Sequence, residues 1–321
     1  MSKVKVAING FGRIGRLVLR AALESGRDDI EFVAVNDLAP AEQNAYLLQY
    51  DSVHGKLPMD VKLDGDTIVV GKQRIKCLAE KDPTKLPWGE MGVDIVMECT
   101  GLFTAADKAR VHIDCGAKRV LVSAPSAGAD KTIVFGVNQD TLTKQDIIVS
   151  NASCTTNCLA PVVAVLDKQF GIESGWMTTV HAYTGDQQLL DKNHKDFRRA
   201  RAAALSMIPT STGAAQAIGL VLPNLAGKLD GIAMRVPTPD VSVVELVVNL
   251  KKSVTAEEVN DAMRASTSAT FGYNELPLVS VDFTHDAHSS IFDSTQTRVL
   301  GDKLVHVRPR WRSSRWRRLR S

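Results

Sequence analysis

No apolar run in this chain approaches the length of a membrane span, because Arg, Asp or Gly interrupts each one. No membrane partner is therefore expected. The opening Met1-Ser-Lys-Val-Lys-Val has no apolar signal segment and leads straight into a strand pattern. Cysteine is scarce: five, at positions 77, 99, 115, 154 and 158, an odd set without disulfide-framework spacing. That excludes a disulfide scaffold and points to a reducing, cytoplasmic compartment. Cys154 and Cys158 stand four apart, but no complementary ligand pair accompanies them, so no metal is expected. Internal repeats and low-complexity linkers are absent. Net positive charge is missing from most of the chain as well. The formal net charge is +3, yet seven arginines lie between Arg308 and Arg320, and without them the balance is negative. A mildly acidic body argues against nucleic acid as a partner.

What remains is an ordinary globular composition, 44% hydrophobic and 23% charged, over 321 residues, enough for two domains. The first half reads as α/β. A β-rich Val4–Ile8 leads into Asn9-Gly10-Phe11-Gly12-Arg13-Ile14-Gly15, and a strong helical pattern follows from Arg16 to Glu24. G-x-G-x-x-G between a strand and a helix is the context of a dinucleotide fingerprint. Gly10 permits the tight turn, Gly12 lets a pyrophosphate approach the backbone, and Gly15 lets helix and strand pack. A second strand, Glu31–Val35, ends near Asp37, spaced for a carboxylate on the adenosine ribose. A carboxylate there repels a 2′-phosphate, which favours NAD over NADP. Thr67–Val70 and Arg74–Cys77 read as a hairpin, Asp94–Glu98 and Arg119–Ser123 as buried strands, and Ala105–Cys115 as a helix. Thr100, Gly101 and Ser123 stand at strand ends, where ligands bind in such sheets and where ordinary loops also begin.

The chain is organised around Ser150-Asn-Ala-Ser153-Cys154-Thr155-Thr-Asn-Cys158. A strand, Ile147–Val149, precedes it and an apolar helix from Leu159 follows. Cys154 thus falls near a helix N-terminus, whose free N–H groups and dipole favour a thiolate. A small buried core cysteine is the competing reading. His181, in an alternating strand 27 residues on, is a candidate base or a satisfied buried histidine. A polar loop runs from Thr184 through Arg198, Arg199 and Arg201. Thr212 stands where a helix over 213–222 would be capped, which suits a phosphate. Arg235 is a cation in an apolar strand and needs an anion. Val241–Leu250 reads as a long strand, Thr255–Glu258 as a capping box opening a helix to Ala265, and Leu278–Phe283, Thr297–Leu300 and Lys303–Val307 as short strands.

The motifs Ile8–Arg16, Tyr50-Asp-Ser-Val-His-Gly55, Ser150–Cys158, His181-Ala-Tyr-Thr-Gly-Asp186, Pro209-Thr-Ser-Thr-Gly-Ala214 and Arg235-Val-Pro-Thr-Pro239 together resemble phosphorylating glyceraldehyde-3-phosphate dehydrogenases of bacterial type. The resemblance runs to about residue 307. It implies a Rossmann-like doubly wound NAD-binding domain over 1–152, then an α+β catalytic domain with a long mixed or antiparallel sheet over 153–307. It implies that Cys154 attacks the aldehyde of glyceraldehyde 3-phosphate, that His181 is its base, and that inorganic phosphate cleaves the thioester. The Cys154 N–H and the His181 ring would hold the oxyanion. The substrate phosphate would meet Thr184 and Arg235; the attacking phosphate would meet Ser153, Thr155, Thr212 and Gly213, with Arg199 at the border. Cofactor contacts would come from Asn9, Arg13, Ile14, Asp37, Lys81, Thr100 and Ser123 beside the glycine loop, Phe11 included. A glycolytic homotetramer is implied, with the 184–204 loop against a neighbour.

Two departures stand out. Lys192-Asn193 replaces the Leu-Pro that often precedes the loop histidine in NAD-selective members. Residues 308–321 form an atypical basic tail where the family pattern returns to the NAD domain and supplies an asparagine to the nicotinamide carboxamide. Two other readings are an erythrose-4-phosphate dehydrogenase and a low-activity paralogue whose tail contacts anionic surfaces.

Overall fold

A computed structural model describes residues 3–311. The expectations placed on 312–321 lie outside the described residues. The chain forms two compact units. Among the described residues, the first comprises 3–133 and 140–152, and the second 134–139 and 153–311.

The first unit is built on one twisted sheet. Its strands run in the order Lys131–Thr132, Ile148–Ser150, Arg119–Val122, Ile95–Glu98, Val4–Asn9, Ile30–Asn36, Gln73–Leu78, Thr67–Val70 and Val61–Asp64. Pairing is parallel as far as Gln73–Leu78 and antiparallel over the last two strands. Val4–Asn9 lies between the second strand of the chain and Ile95–Glu98, so the strand order reverses there. Crevices at such reversals hold ligands in doubly wound sheets. The buried faces of Val4–Asn9 and Ile30–Asn36 (Val6, Ile8, Phe32, Val35) pack with Val18 and Leu19 of the helix Arg13–Glu24. Burying a side chain of that size contributes about 1.5–3 kcal/mol.

In the second unit a long helix, Cys154–Phe170, is buried along Cys158, Leu159, Ala160, Val162, Val163 and Leu166. It tolerates Pro161 and ends at Gly171, whose φ of +72° is a left-handed conformation that glycine adopts without strain. The helix packs on a mixed sheet ordered Ile208–Thr210, Leu229–Val236, Ile172–Ala182, Ser242–Leu250, Pro309–Trp311, Ser290–Asp293 and Phe271–Asn274. Leu304–Val307 and Arg298–Leu300 extend it from Ser242–Leu250. Ile172–Ala182 runs parallel to Leu229–Val236 and sets His181 opposite Arg235. That register fixes the chemistry described below.

Several local expectations are corrected. Residues 105–115 form two short helices, Ala106–Ala109 and Val111–Asp114, because the chain tightens to a three-residue bond from Ile113 N–H to Arg110 O. Leu278–Phe283 is not a strand. Asp282 accepts from the Val279 N–H at 2.8 Å and closes a 3₁₀ turn over Ser280–Phe283, leaving Val279 and Val281 exposed. The helix expected over 213–222 is confined to Ile218–Val221 and is preceded by turns. A helix at Ala41–Gln49 and strands at Phe271–Asn274 and Ser290–Asp293 carried no clear periodicity in the sequence. Pro309–Trp311 pairs with Ser242–Leu250 and Ser290–Asp293, so the first residues of the basic stretch belong to the sheet of the second unit.

The glycine loop yields a stability test. A Cβ at Gly15 would lie 2.2 Å from Gly10 O and 2.9 Å from Ile8 Cγ2, whereas one at Gly12 would meet nothing within 4 Å. Gly15→Ala is expected to lower unfolding stability by roughly 1–3 kcal/mol, and Gly12→Ala to leave it nearly unchanged. Denaturant titration of both variants checks this, and equal losses would contradict the packing argument.

Candidate active site

The first unit offers an anion-binding turn. Gly10 has φ +89°, and a Cβ there would strike Thr100 N at 2.5 Å, so the turn admits only glycine. Gly12 is the N-cap of Arg13–Glu24 and makes no side-chain cap, which leaves first-turn N–H groups without a capping acceptor. Open space in front of Gly12 and an uncapped helix start fit a pyrophosphate. Asp37 first shapes this loop: it accepts from the Phe11 N–H at 2.8 Å and the Ala39 N–H at 3.1 Å. Its oxygens keep further lone pairs for a ribose hydroxyl. Arg13 pairs with Asp51 at 3.0 Å. Ile14 packs on the core, Lys81 is exposed beyond Gln73–Leu78, and Gly101 is exposed at φ +74°. The Ser123 hydroxyl faces the Cys99 thiol, which burial pushes up to about 12.

Beneath the loop lies a buried polar network absent from the sequence reading. Glu98, 1% exposed, accepts from Asn9 Nδ2 at 2.7 Å, from the Thr100 N–H at 2.7 Å and from the Thr100 hydroxyl. Trp88 Nε1–H can only donate, and it reaches His112 Nδ1 at 3.1 Å; the ring hydrogen is therefore on Nε2, which donates to Glu98 at 2.9 Å. Asn9 also accepts from Asn36 Nδ2 at 2.8 Å. Thus Asn9 and Thr100 are held from below by a carboxylate whose acceptor sites are filled.

In the second unit Cys154 is the first residue of its helix. The turn before it passes through Ala152 at φ +56°, an uncommon conformation for a residue with a Cβ. Ser153 caps the helix by accepting from the Thr156 N–H at 3.1 Å. Cys154 Sγ stands 3.6 Å from His181 Nε2. His181 Nδ1 lies 2.6 Å from Ala182 O, an acceptor only, and 2.8 Å from Arg235 Nη1, a donor only; with the ring hydrogen on Nδ1, toward the nearer carbonyl, Nε2 presents a lone pair to the thiol. Burial first, then the nearby Arg235 charge, pushes His181 down to about 3, so the ring is neutral near pH 7. The thiol itself is pushed up by burial and pulled back by Arg235 and by the Thr155 N–H and hydroxyl. The Cys154 residue is exposed, and solvent weakens that burial effect. Burial thus opposes the helix start at Cys154, while Arg235 and Thr155 favour the thiolate. The Cys154–His181 pair can deliver a nucleophilic sulfur by transferring one proton to Nε2.

The candidate anion residues divide. Arg235 Nη1 lies 2.8 Å from His181 Nδ1 and 3.1 Å from Ala182 O, and its Nε is buried without a partner among the described residues. Arg199 is already committed: it reaches Asp186 at 2.6 Å, Thr210 at 3.1 Å and Asp196 at 3.6 Å. Thr184 is partly buried at the start of the same loop. Thr212 caps no helix; its hydroxyl accepts from the Ala214 N–H at 3.2 Å in a local turn, and Gly213 starts the run of turns after it. Among the described residues no cluster of three His, Cys, Asp or Glu side chains is placed to hold a metal.

Family models match two long stretches of the sequence. Residues 4–106 match the family described as glyceraldehyde 3-phosphate dehydrogenase, NAD binding domain, and residues 153–314 match glyceraldehyde 3-phosphate dehydrogenase, C-terminal domain. The chain belongs to the glyceraldehyde-3-phosphate dehydrogenase family. It is similar to the glyceraldehyde-3-phosphate dehydrogenase of Xanthobacter flavus, at 59% identity over 98% of this chain and 94% of that one. It is also similar to those of Cereibacter sphaeroides, at 57% with the same coverage, and Geobacillus stearothermophilus, at 57% over 95% of this chain and 92% of that one.

Beside the family residues stands Trp311, which the sequence placed in the tail. Its ring packs edge-on against His181, centroids 4.7 Å apart at 82°. Only the strand pairing of 309–311 brings it there. Arg308 and Arg310 are likewise engaged, by Glu245 at 2.6 Å and Asp293 at 3.2 Å, rather than presented as a basic patch.

The neutral His181 has a consequence for acid stability. Unfolded, it takes up a proton near 6.5; folded, it does so only near 3. The unfolded chain therefore binds more protons between those values, and stability falls as pH drops through that window, by up to about 1.4 kcal/mol per pH unit. His181→Gln is expected to flatten the decline between pH 6.5 and 4. Unfolding curves that stay parallel to the parent would refute it.

Proposed function

We propose that the chain oxidises glyceraldehyde 3-phosphate with NAD and inorganic phosphate to 1,3-bisphosphoglycerate, through a thioester on Cys154. The observation that carries this reading is the Cys154 Sγ–His181 Nε2 approach of 3.6 Å with the ring hydrogen on Nδ1. His181 takes the thiol proton as sulfur attacks the aldehyde carbon. The developing oxyanion meets the Cys154 N–H at the helix start and the protonated ring. His181 then returns a proton to give the thiohemiacetal hydroxyl. NAD, when bound, supplies the acceptor for the hydride from that carbon; the glycine loop, Asp37 and the residues held by Glu98 are the groups that would hold it. His181 takes the hydroxyl proton as the hydride departs, leaving the thioester. Phosphate attack on the thioester carbon expels the Cys154 thiolate and forms the acyl phosphate.

Arg235 and Thr184 serve the substrate phosphate in this reading, and Ser153, Thr155, Thr212 and Gly213 the attacking phosphate, with Arg199 acting through Asp186 and Thr210 to hold the loop. Association into a homotetramer is part of the same proposal. The 184–204 segment carries exposed Leu189, Leu190 and Phe197, an apolar set suited to burial against another copy. Five free thiols support a reducing compartment.

NADH formation from glyceraldehyde 3-phosphate should require phosphate and exceed that from erythrose 4-phosphate. Cys154→Ser should lower turnover by roughly 10³-fold or more while NAD still binds. Asp37→Ala should weaken NAD binding by about tenfold with little change for NADP. Retained turnover in the serine variant would sink the mechanism.

A further inference from the structure

Trp311 stands in the basic stretch that departs from the family pattern, yet it is 1% exposed. Pro309 and Trp311 are buried, while Arg308 and Arg310 are only partly so, the alternation of a strand with one face inward. The strand packs against the helix Cys154–Phe170. Arg308 meets Glu245 at 2.6 Å. Arg310 meets the buried Asp293 at 3.2 Å and lies over the Phe283 ring. Charges on one face thus clamp the strand that carries the indole on the other. The Trp311 ring meets the His181 ring at 82° with centroids 4.7 Å apart, the T-shaped arrangement that aromatic rings favour. The backbone ties the same strand position to the histidine. Trp311 pairs with Ser242 in the antiparallel ladder, the Ser242 hydroxyl accepts from the Ala182 N–H at 3.0 Å, and Ala182 O lies 2.6 Å from His181 Nδ1.

A contact at Nδ1 does not by itself fix an imidazole. The torsion that turns the ring is broad and two-fold. A small rotation about Cβ–Cγ bends the contact at Nδ1 and swings Nε2 off the line to Cys154 Sγ, 3.6 Å away. The polar groups around the ring lie at its nitrogens. Cys154 faces Nε2 from the helix start, and Arg235 faces Nδ1 from the parallel strand. The Arg199 charge is felt from the loop. Trp311 meets the ring itself. Its own Nε1–H is buried without a partner among the described residues, so no hydrogen bond of the indole explains its seat.

We infer that Trp311 is a positioning residue for the reaction: its ring walls the His181 imidazole and keeps Nε2 aimed at Cys154 Sγ. The inference rests on the proposed roles of Cys154 and His181. It gives the start of the basic stretch a task in the site, carried by the one aromatic ring of the strand Pro309–Trp311. The two arginine ion pairs on the opposite face serve that task by holding the strand in place.

The test compares Trp311→Phe, which keeps an aromatic wall, with Trp311→Leu and Trp311→Met, which keep an apolar side chain without a ring. All are made in the full-length protein, and denaturant titration establishes which fold. The first readout is alkylation of Cys154 by iodoacetamide, without NAD or aldehyde, located by peptide mapping. With Leu or Met the rate at about pH 7 should fall roughly tenfold or more. It should approach the parent's at about pH 9.5, where a thiol ionises without help from the ring. Trp311→Phe should stay within about twofold of the parent throughout. The second readout is NADH formation: kcat should fall with Leu or Met while KM for glyceraldehyde 3-phosphate moves by less than about twofold, and Phe should restore it. Equal behaviour of Phe and Leu, an alkylation loss uniform across pH, or a rise in KM in place of a fall in kcat overturns the inference. Where neither Leu nor Met folds, the tryptophan emission that Trp311→Phe removes should differ between the parent and a His181→Gln background; an unchanged value overturns the contact. The two readings fail separately. Alkylation that requires the aromatic ring in a protein without turnover removes only the proposed reaction, and turnover with alkylation indifferent to residue 311 removes only the role of Trp311.

Discussion

The hydrogen bond from His181 Nδ1 to the carbonyl of the next residue decides what the second unit can do. It leaves Nε2 with a lone pair pointed at Cys154, and the ring with no spare acceptor for Arg235. Burial keeps the ring neutral. A cysteine at a helix start is ordinarily read as a poised thiolate. Here burial opposes the helix start, and the Arg235 charge supports it.

That hydrogen bond depends on strand register. Ile172–Ala182 and Leu229–Val236 pair in parallel, and the pairing sets His181 against Arg235. A slip of one residue would turn either side chain to the other face of the sheet. Buried apolar residues of the two strands, Met177 and Ala233 among them, support that register. On the other flank, the Ala182 N–H donates to the Ser242 hydroxyl at 3.0 Å and ties the end of the strand to its antiparallel neighbour. The first unit follows a similar logic with a different device. A buried carboxylate, Glu98, holds Asn9 and Thr100, which flank the glycine turn. Removing any one partner would leave a buried polar group unsatisfied, at about 1–3 kcal/mol.

The motif glycines were legible because each has a steric reason that a sequence pattern preserves. Gly10 and Gly15 have no room for a Cβ, and Gly12 faces open space. Glu98, His112 and Trp88 were not legible, since three residues spaced over a strand, a loop and a short helix have no pattern in common. The Thr212 helix was misread because its apolar run resembles a helix, although the run contains Gly213 and Gly219 and breaks into turns before Ile218. The strand at Leu278–Phe283 failed for a related reason: one carboxylate, Asp282, closes a turn that alternation alone does not reveal.

By itself the sequence determined the doubly wound first unit, the glycine turn with its carboxylate, and the short list of residues able to carry acyl transfer. Each of these is a local matter of spacing, backbone freedom or functional group. Tertiary structure alone decided which ring nitrogen of His181 faces the sulfur, that Arg235 stands against the other, and that Trp311 joins them. Those facts depend on strands from distant parts of the chain meeting in one register, and that register is set by the packing of the core.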